Sequence, residues 1–446
     1  MAQWYVVAAE TVIIEKVVER RHLGRCAEVS GILFNNVRDE RIVFLTRVAN
    51  AHGMNVIARP AADDLSGKIN GHYEQTLAAA FNLCICKTRG NIERLADVPK
   101  SAAWAEDGNY FNFKESFYEI GNWTSSFFTG MALLAWRETE DEYFLTQTLR
   151  LAPHYHEKAF VRFMDTHHDI GFLYSLYSVA LYKLTGEKEH REVGVRAAEL
   201  LAQRFNPKGN YIRAWGRMDE IESPIGDGMM RTDNMAIIDS LMNLPLLFWA
   251  SAEQGDTRCR DIAVRHADMS LKCFVRPDGS TNNIYRFDPH TGAPLGDPNN
   301  SYWARGATWA IYGLALTYGY TGLDRYLEAS IRLAKKFIAQ LDNEIIPWND
   351  FHETAHPARV RDASAGALAV CGFQELAKLR AADSEILTAK RVMLEKLCSE
   401  DYLNFDDACF GIQRRGQGGK NGYTSWGDYF LMEALARELT QCQLFW

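Results

Sequence analysis

Residues 169–203, DIGFLYSLYSVALYKLTGEKEHREVGVRAAELLAQ, carry the pattern that decides the fold. From Asp169 to Tyr182 the segment has one charge, at its first residue, and is otherwise apolar or small. After the break TGEKEH (185–190) it becomes charged, with apolar residues at helical spacing. A helix that is apolar all round must be buried, whereas one with a single apolar stripe lies outside. The stretch therefore reads as an inner helix turning into an outer one.

The same alternation recurs on both sides. Nearly uncharged stretches begin at Thr124 (TSSFFTGMALLAW), Met235 (MAIIDSLMNLPLLFW), Gly306 (GATWAIYGLALTY), Asp362 (DASAGALAVCGF) and Trp426 (WGDYFLMEALA). Charged amphipathic stretches begin near Asp141, Thr257, Asp324 and Ser384, after turns such as ETEDEY (138–143), QGDTRC (254–259) and TGLDRY (321–326). With a first outer helix around residues 73–95, this makes six stacked helical hairpins. The expectation is an all-α chain whose residues 73–446 form an (α/α)6 barrel, with Pro245 kinking the inner helix that contains it. Residues 1–72 fall outside the scheme. RIVFLTRV (41–48) reads as a strand, and TVIIEKVVERR (11–21) as strand or helix. This part is an N-terminal extension of unknown role.

The composition, 47% hydrophobic and 24% charged over 446 residues, fits a soluble globular protein with a large core. A net charge of −8 without any Lys/Arg block argues against a nucleic-acid partner. No apolar run reaches the ~18–20 residues of a membrane span, and the first residues lack a basic leader. The nine cysteines include no CxxC pair, which points to reduced thiols and a cytoplasmic protein.

Polar and aromatic residues gather at the starts of the inner helices: Asn122 and Trp123; His167, His168 and Asp169; Asp233, Asn234 and Asp239; Trp303 and Arg305; Arg361 and Asp362; Thr424 to Asp428. Asp and Ser at one helix start are ordinary caps. Six clusters on one rim, several with tryptophan, suit a sugar pocket, where indole faces cover C–H surfaces and polar groups hold hydroxyls. Asp239 stands out, because it lies in an apolar run. Burial raises a carboxyl pKa and keeps an acid protonated near neutrality, although a buried Asp bonded to backbone or to Asn243 is the plainer reading. His167 and His168 make a weak metal pair, since adjacent side chains diverge and no third ligand stands at a supporting spacing. No GxSxG occurs, and Ser364 reads as small-residue packing.

THHDIGFLYSLYSVALY (166–182), AIIDSLMNLPLLFWA (236–250), SYWARGATWAIYG (301–313) and YTSWGDYFLMEALAR (423–437) together resemble the unsaturated glucuronyl hydrolases of glycoside hydrolase family 88. NWTSSFFTG, RAWG, YRFDPHTGAPLG and RDASAGA follow in the family's order, and the resemblance spans residues 73–446. It implies an (α/α)6 barrel and an enzyme without metal or other cofactor. The implied substrates are lyase-generated oligosaccharides ending in a Δ4,5-unsaturated uronic acid. It also implies Asp239 and Asp169 as the catalytic pair, and Trp123, His168, Trp215, Trp303, Arg305 and Trp309 in the substrate pocket. Asn283 stands where the family carries a pocket histidine, and Gly306–Ala307–Thr308–Trp309 replaces its GQAW, which leaves aglycone and sulfate preference open. Rival readings are an unsaturated rhamnogalacturonyl hydrolase acting on pectin fragments, a sugar epimerase on the same barrel, and a sugar-binding protein without activity.

Overall fold

A computed structural model describes residues 65–95, 110, 123–225, 228–352, 359–379, 383–416, 422–440 and 445–446, together with short strands in the first 57 residues and at Trp104–Ala105. Fourteen α-helices are described: α1 (Leu65–Leu95), α2 (Ser125–Thr139), α3 (Glu142–Leu149), α4 (Ala152–Phe160), α5 (Ile170–Tyr174), α6 (Ala180–Thr185), α7 (Lys188–Gln203), α8 (Leu244–Gln254), α9 (Arg258–Cys273), α10 (Ala304–Thr321), α11 (Asp324–Ile338), α12 (Ala363–Leu379), α13 (Ser384–Leu397) and α14 (Ser425–Thr440). A π-helical turn, Ser175–Val179, joins α5 to α6.

The inner helices close into a ring. α2 packs on α5, α5 on α8, α8 on α10, α10 on α12, α12 on α14, and α14 returns to α2. Burial separates the two layers as the charge pattern requires. Every residue from Ala304 to Thr317 of α10, from Ala363 to Leu376 of α12 and from Ser425 to Ala436 of α14 is buried. The outer α11 buries one stripe, Tyr326, Leu327, Ala329, Ser330, Leu333, Ala334 and Phe337. The turns from inner to outer helix share one device. Gly186, Gly255 and Gly322 take left-handed conformations, with φ of 75°, 69° and 67°, and end α6, α8 and α10. Deeper in the barrel, Tyr312, Tyr429 and the Trp446 indole donate hydrogen bonds to the buried Glu433 carboxylate at 2.6, 2.7 and 2.8 Å.

Three expectations change. The run from Met235 is not one helix: Met235–Ile237 is a strand, Ile238–Met242 a 3-10 turn, and α8 starts at Leu244. An apolar run alone cannot tell strand from buried helix, and here pairing with Ile284–Phe287 supplies the strand's hydrogen bonds. Pro245 therefore kinks nothing; it sits in the first turn of α8, where its missing N–H has no helical partner to lose. Finally, α1 begins at Leu65 and runs through the boundary expected at residue 72. Within the first 64 residues, Ala2–Val7, Val12–Val17, Gly31–Leu33 and Val56–Ile57 form a sheet in that order. The strand read at 41–48 and Asn122 lie outside the described residues.

Candidate active site

Asp169 stands immediately before α5, but its side chain caps no helical amide. Asp239 sits on the 3-10 turn that follows the strand Met235–Ile237. Antiparallel pairing of Ile237 with Ile284 holds that turn. The Ile238 N–H donates to the Asn283 carbonyl at 3.0 Å, which sets Asn283 alongside. The two aspartates meet across one imidazole: His168 Nε2 lies 3.4 Å from Oδ1 of each. The Trp215 N–H donates to His168 Nδ1 at 3.0 Å. A neutral imidazole that accepts at Nδ1 carries its proton on Nε2, so His168 presents an N–H to both carboxylates. Burial pushes the His168 pKa down to about 4, which keeps the ring neutral.

Asn243 ties this turn to α5. Its amide nitrogen lies 3.4 Å from Asp169 Oδ1 and from the Asp239 carbonyl, and its oxygen accepts the Phe172 N–H at 2.9 Å. Gly171 makes the close approach possible, since a Cβ there would stand 2.5 Å from Asn243 Cα.

Burial pushes both carboxyls up to about 7. For Asp169 the facing His168 opposes the rise, and the like charge of Asp239 adds to it. For Asp239 the Arg305 charge opposes it. The bonding is unequal. Asp169 accepts from Asn243, whereas Asp239 Oδ1 is buried without a hydrogen-bond partner and backbone amides of Ser240 and Asp239 pull the Asp239 carboxyl down. Bonds to the charged form favour ionisation, and with both carboxyls pushed up to about 7 the pair can hold one proton between them near neutrality.

Aromatic rings make the other wall. Trp123 stacks on Trp426, with centroids 5.0 Å apart, and Trp303 and Trp426 flank the Arg305 guanidinium at 4.7 and 5.2 Å. Arg305 Nη1 donates to Asp362 at 2.6 Å and to Ser364 Oγ at 3.1 Å, and the Trp426 indole N–H donates to the same Oγ at 3.1 Å. Ser364 thus has a polar task that its small-residue setting concealed. Trp123, Trp215, Asn283 and Trp303 are half-buried. His168 and Trp309 are not pocket lining as expected: they are 0% and 1% exposed, His168 behind the two aspartates and Trp309 beneath Phe172 and Phe430. Asp428 and Asp233 serve structure. Asp428 accepts from the Tyr110 hydroxyl and the Ile412 and Gln413 amides, and Asp233 is paired with Arg231 at 2.7 Å.

Among the described residues, one group of three could present metal ligands to a common point: His167, His168 and Asp169, with ligand atoms within 4.8 Å of one another. The donor set is a poor fit. Both Nδ1 atoms already face backbone amides, of Asp169 and Trp215, and the remaining nitrogen of His168 carries the proton that faces the carboxylates.

The model of Glycosyl Hydrolase Family 88 matches residues 90–373. The unsaturated glucuronyl hydrolase of Bacillus sp. (strain GL1) is 35% identical over 334 residues, 71% of this chain and 86% of that protein. The chain belongs to glycosyl hydrolase family 88. It is a glycoside hydrolase, and the solved structures agree with its barrel. The crystal structure of the Bacillus sp. GL1 unsaturated glucuronyl hydrolase superposes with a TM-score of 0.74 at 30% identity, covering 82% of this chain and 98% of that one. The unsaturated chondroitin disaccharide hydrolase of Streptococcus pyogenes serotype M1 is 31% identical, over 84% of this chain and 94% of its own. Among the described residues no helix is long and apolar enough to cross a membrane.

The sequence raised Asn243 only as a structural partner. Asn243 had a signal, since it lies four residues after Asp239.

Proposed function

We propose that this enzyme releases the terminal Δ4,5-unsaturated uronic acid from lyase-generated oligosaccharides by hydrating the C4=C5 double bond. The observation that carries the proposal is that Nε2 of one buried, neutral histidine lies 3.4 Å from a carboxylate oxygen of both Asp169 and Asp239. Membership of family 88 and the substrates in its relatives' names support the same reading.

The substrate double bond is a vinyl ether, with C5 attached to the ring oxygen. Asp239, half-buried and with its carboxyl pushed up to about 7, gives its proton to C4, and the cation left at C5 is stabilised by that oxygen. The Asp239 carboxylate then takes a proton from the water that adds at C5, and the acid is restored. The resulting hemiketal opens, and the bond to the next sugar is lost in the rearrangement. One water is consumed overall. Asp169, ionised while Asp239 holds the proton, faces the developing positive charge and helps keep that proton on Asp239. Trp123, Trp215 and Trp303 cover the apolar faces of the sugar. Arg305 and Asn283 offer polar groups to its carboxylate and hydroxyls.

The substrate is an anionic oligosaccharide. Nucleic acid and membrane are not partners in this reading, and no metal or cofactor is required. We place the enzyme in the cytoplasm, in keeping with the seven described cysteines being thiols, and the catalytic unit begins with α1 at Leu65 rather than at the expected residue 73, with the residues before it as an appendage. The test is incubation with a panel of lyase-generated disaccharides from glycosaminoglycans and pectin, following loss of the ultraviolet absorbance of the conjugated double bond. Turnover of a glucuronyl disaccharide supports the proposal. Turnover of none overturns it, and turnover of pectin-derived substrates alone would favour the rhamnogalacturonyl reading of the same hydration.

A further inference from the structure

Arg204 follows α7 and is 4% exposed. Among the described residues no carboxylate lies within ion-pair distance of it. Its guanidinium instead donates to four backbone carbonyls. Nε reaches Arg213 at 2.9 Å, Nη1 reaches Thr166 at 3.2 Å and Gly216 at 3.0 Å, and Nη2 bonds Trp215. Burial lowers its pKa to about 9, so it remains a cation at neutral pH.

These carbonyls belong to two segments that build the site. Thr166 leads into His168 and Asp169, and residues 213–216 carry Trp215. The second segment is pinned at almost every backbone group. Ile212 N–H donates to His266 Nδ1 at 2.9 Å, Arg213 N–H to the Arg204 carbonyl at 3.0 Å, Ala214 N–H to Met235 at 2.9 Å and Trp215 N–H to His168 at 3.0 Å. Trp215 holds a left-handed φ of 47°, a conformation that a bulky residue keeps only where its surroundings over-determine it. A planar fork of five donors suits this task, and an ammonium does not replace it.

We propose that Arg204 is a positioning residue for the active site. Its guanidinium clamps the carbonyls of Thr166, Arg213, Trp215 and Gly216, holding Trp215 and the His168–Asp169 segment in one geometry. Through the Trp215 amide, the clamp also fixes the His168 tautomer that faces both aspartates. The proposal rests on the catalytic reading above, but the clamp itself is tested separately.

The experiment compares wild type, Arg204→Lys and Arg204→Ala in two ways. Nitrogen-15 NMR of histidine-labelled protein, with His168→Gln for assignment, reads the tautomer whether or not a substrate is turned over. Wild type should show His168 as a single Nε2–H form, and both Arg204 variants a tautomer mixture. Kinetics on the best disaccharide should show kcat reduced about 100-fold in Arg204→Lys, the scale of an ångström-sized misplacement. KM should move much less, and guanidinium ion should restore part of the Arg204→Ala rate where equal sodium chloride does not. An unchanged His168 signal in folded variants, or wild-type kcat in Arg204→Lys, overturns the proposal. So does failure of both variants to fold, which would make Arg204 a folding residue. Inactivity of the wild type on every disaccharide counts against the catalytic reading, and the NMR comparison still decides the clamp.

Discussion

Replacing Asp239 by asparagine should inactivate the enzyme and stabilise it. Burial raises the Asp239 carboxyl from 3.8 to about 7. A carboxyl whose folded pKa exceeds its unfolded value binds its proton more tightly when folded. Its cost to stability is absent below about pH 4, grows as pH rises and is complete above about pH 7. At about 1.4 kcal/mol per unit, a rise of about three units costs about 4 kcal/mol. Asparagine removes that cost; its amide oxygen can still accept the Ser240 backbone N–H that the carboxylate takes, and Asp239 Oδ1 has no hydrogen-bond partner to lose. It also relieves Asp169 of a like charge. A gain of about 2–4 kcal/mol in a chain of 446 residues amounts to about 2–4 °C in melting temperature. Calorimetry from pH 4 to pH 8 should find Asp239→Asn melting above wild type at pH 8, with the two converging toward pH 4. Turnover should fall by about 10³-fold or more, as loss of a general acid and base requires. A variant that melts below wild type at pH 8, or an offset independent of pH, would refute the reasoning.

Three other substitutions probe the same constellation. Asn243→Ala strands the Phe172 amide and frees Asp169, so it should cost about 1–3 kcal/mol in denaturant titration, the price of unsatisfied buried groups, and lower kcat. Gly171→Ala forces a Cβ to within 2.5 Å of the Asn243 backbone; an overpacking cost of about 1–3 kcal/mol with loss of activity is expected, and unaltered melting would contradict the close approach. Asn283→His should reorder rates across the disaccharide panel while leaving the melting temperature nearly unchanged, because Asn283 is half-buried beside the Asp239 turn. An unchanged ranking would remove it from the pocket.

Much of the barrel could be read from charge alone. A ring of inner helices needs uncharged sequence on every side, and an outer helix needs one stripe. α10 and α11 show both in succession. The Met235 run misled because strand pairing with Ile284–Phe287 is a long-range contact, invisible in a segment that satisfies either period. The two aspartates were legible as charges in apolar surroundings and through the family resemblance. The imidazole between them was read as a sugar ligand, because its burial follows from the backbone amide of Trp215, forty-seven residues away. The Arg305–Asp362–Ser364 cluster joins two different inner helices, and no spacing within either helix announces it.

Isotopic labelling during turnover tests the central claim most directly. If Asp239 protonates C4 and water adds at C5, product formed in deuterium oxide carries deuterium at C4. Product formed in oxygen-18 water carries the label at C5 before exchange with solvent, and the saturated uronide is not cleaved. A conventional glycosidase attacks the anomeric carbon with its two carboxylates. Heavy oxygen found only at C1, with no deuterium at C4, would contradict the account.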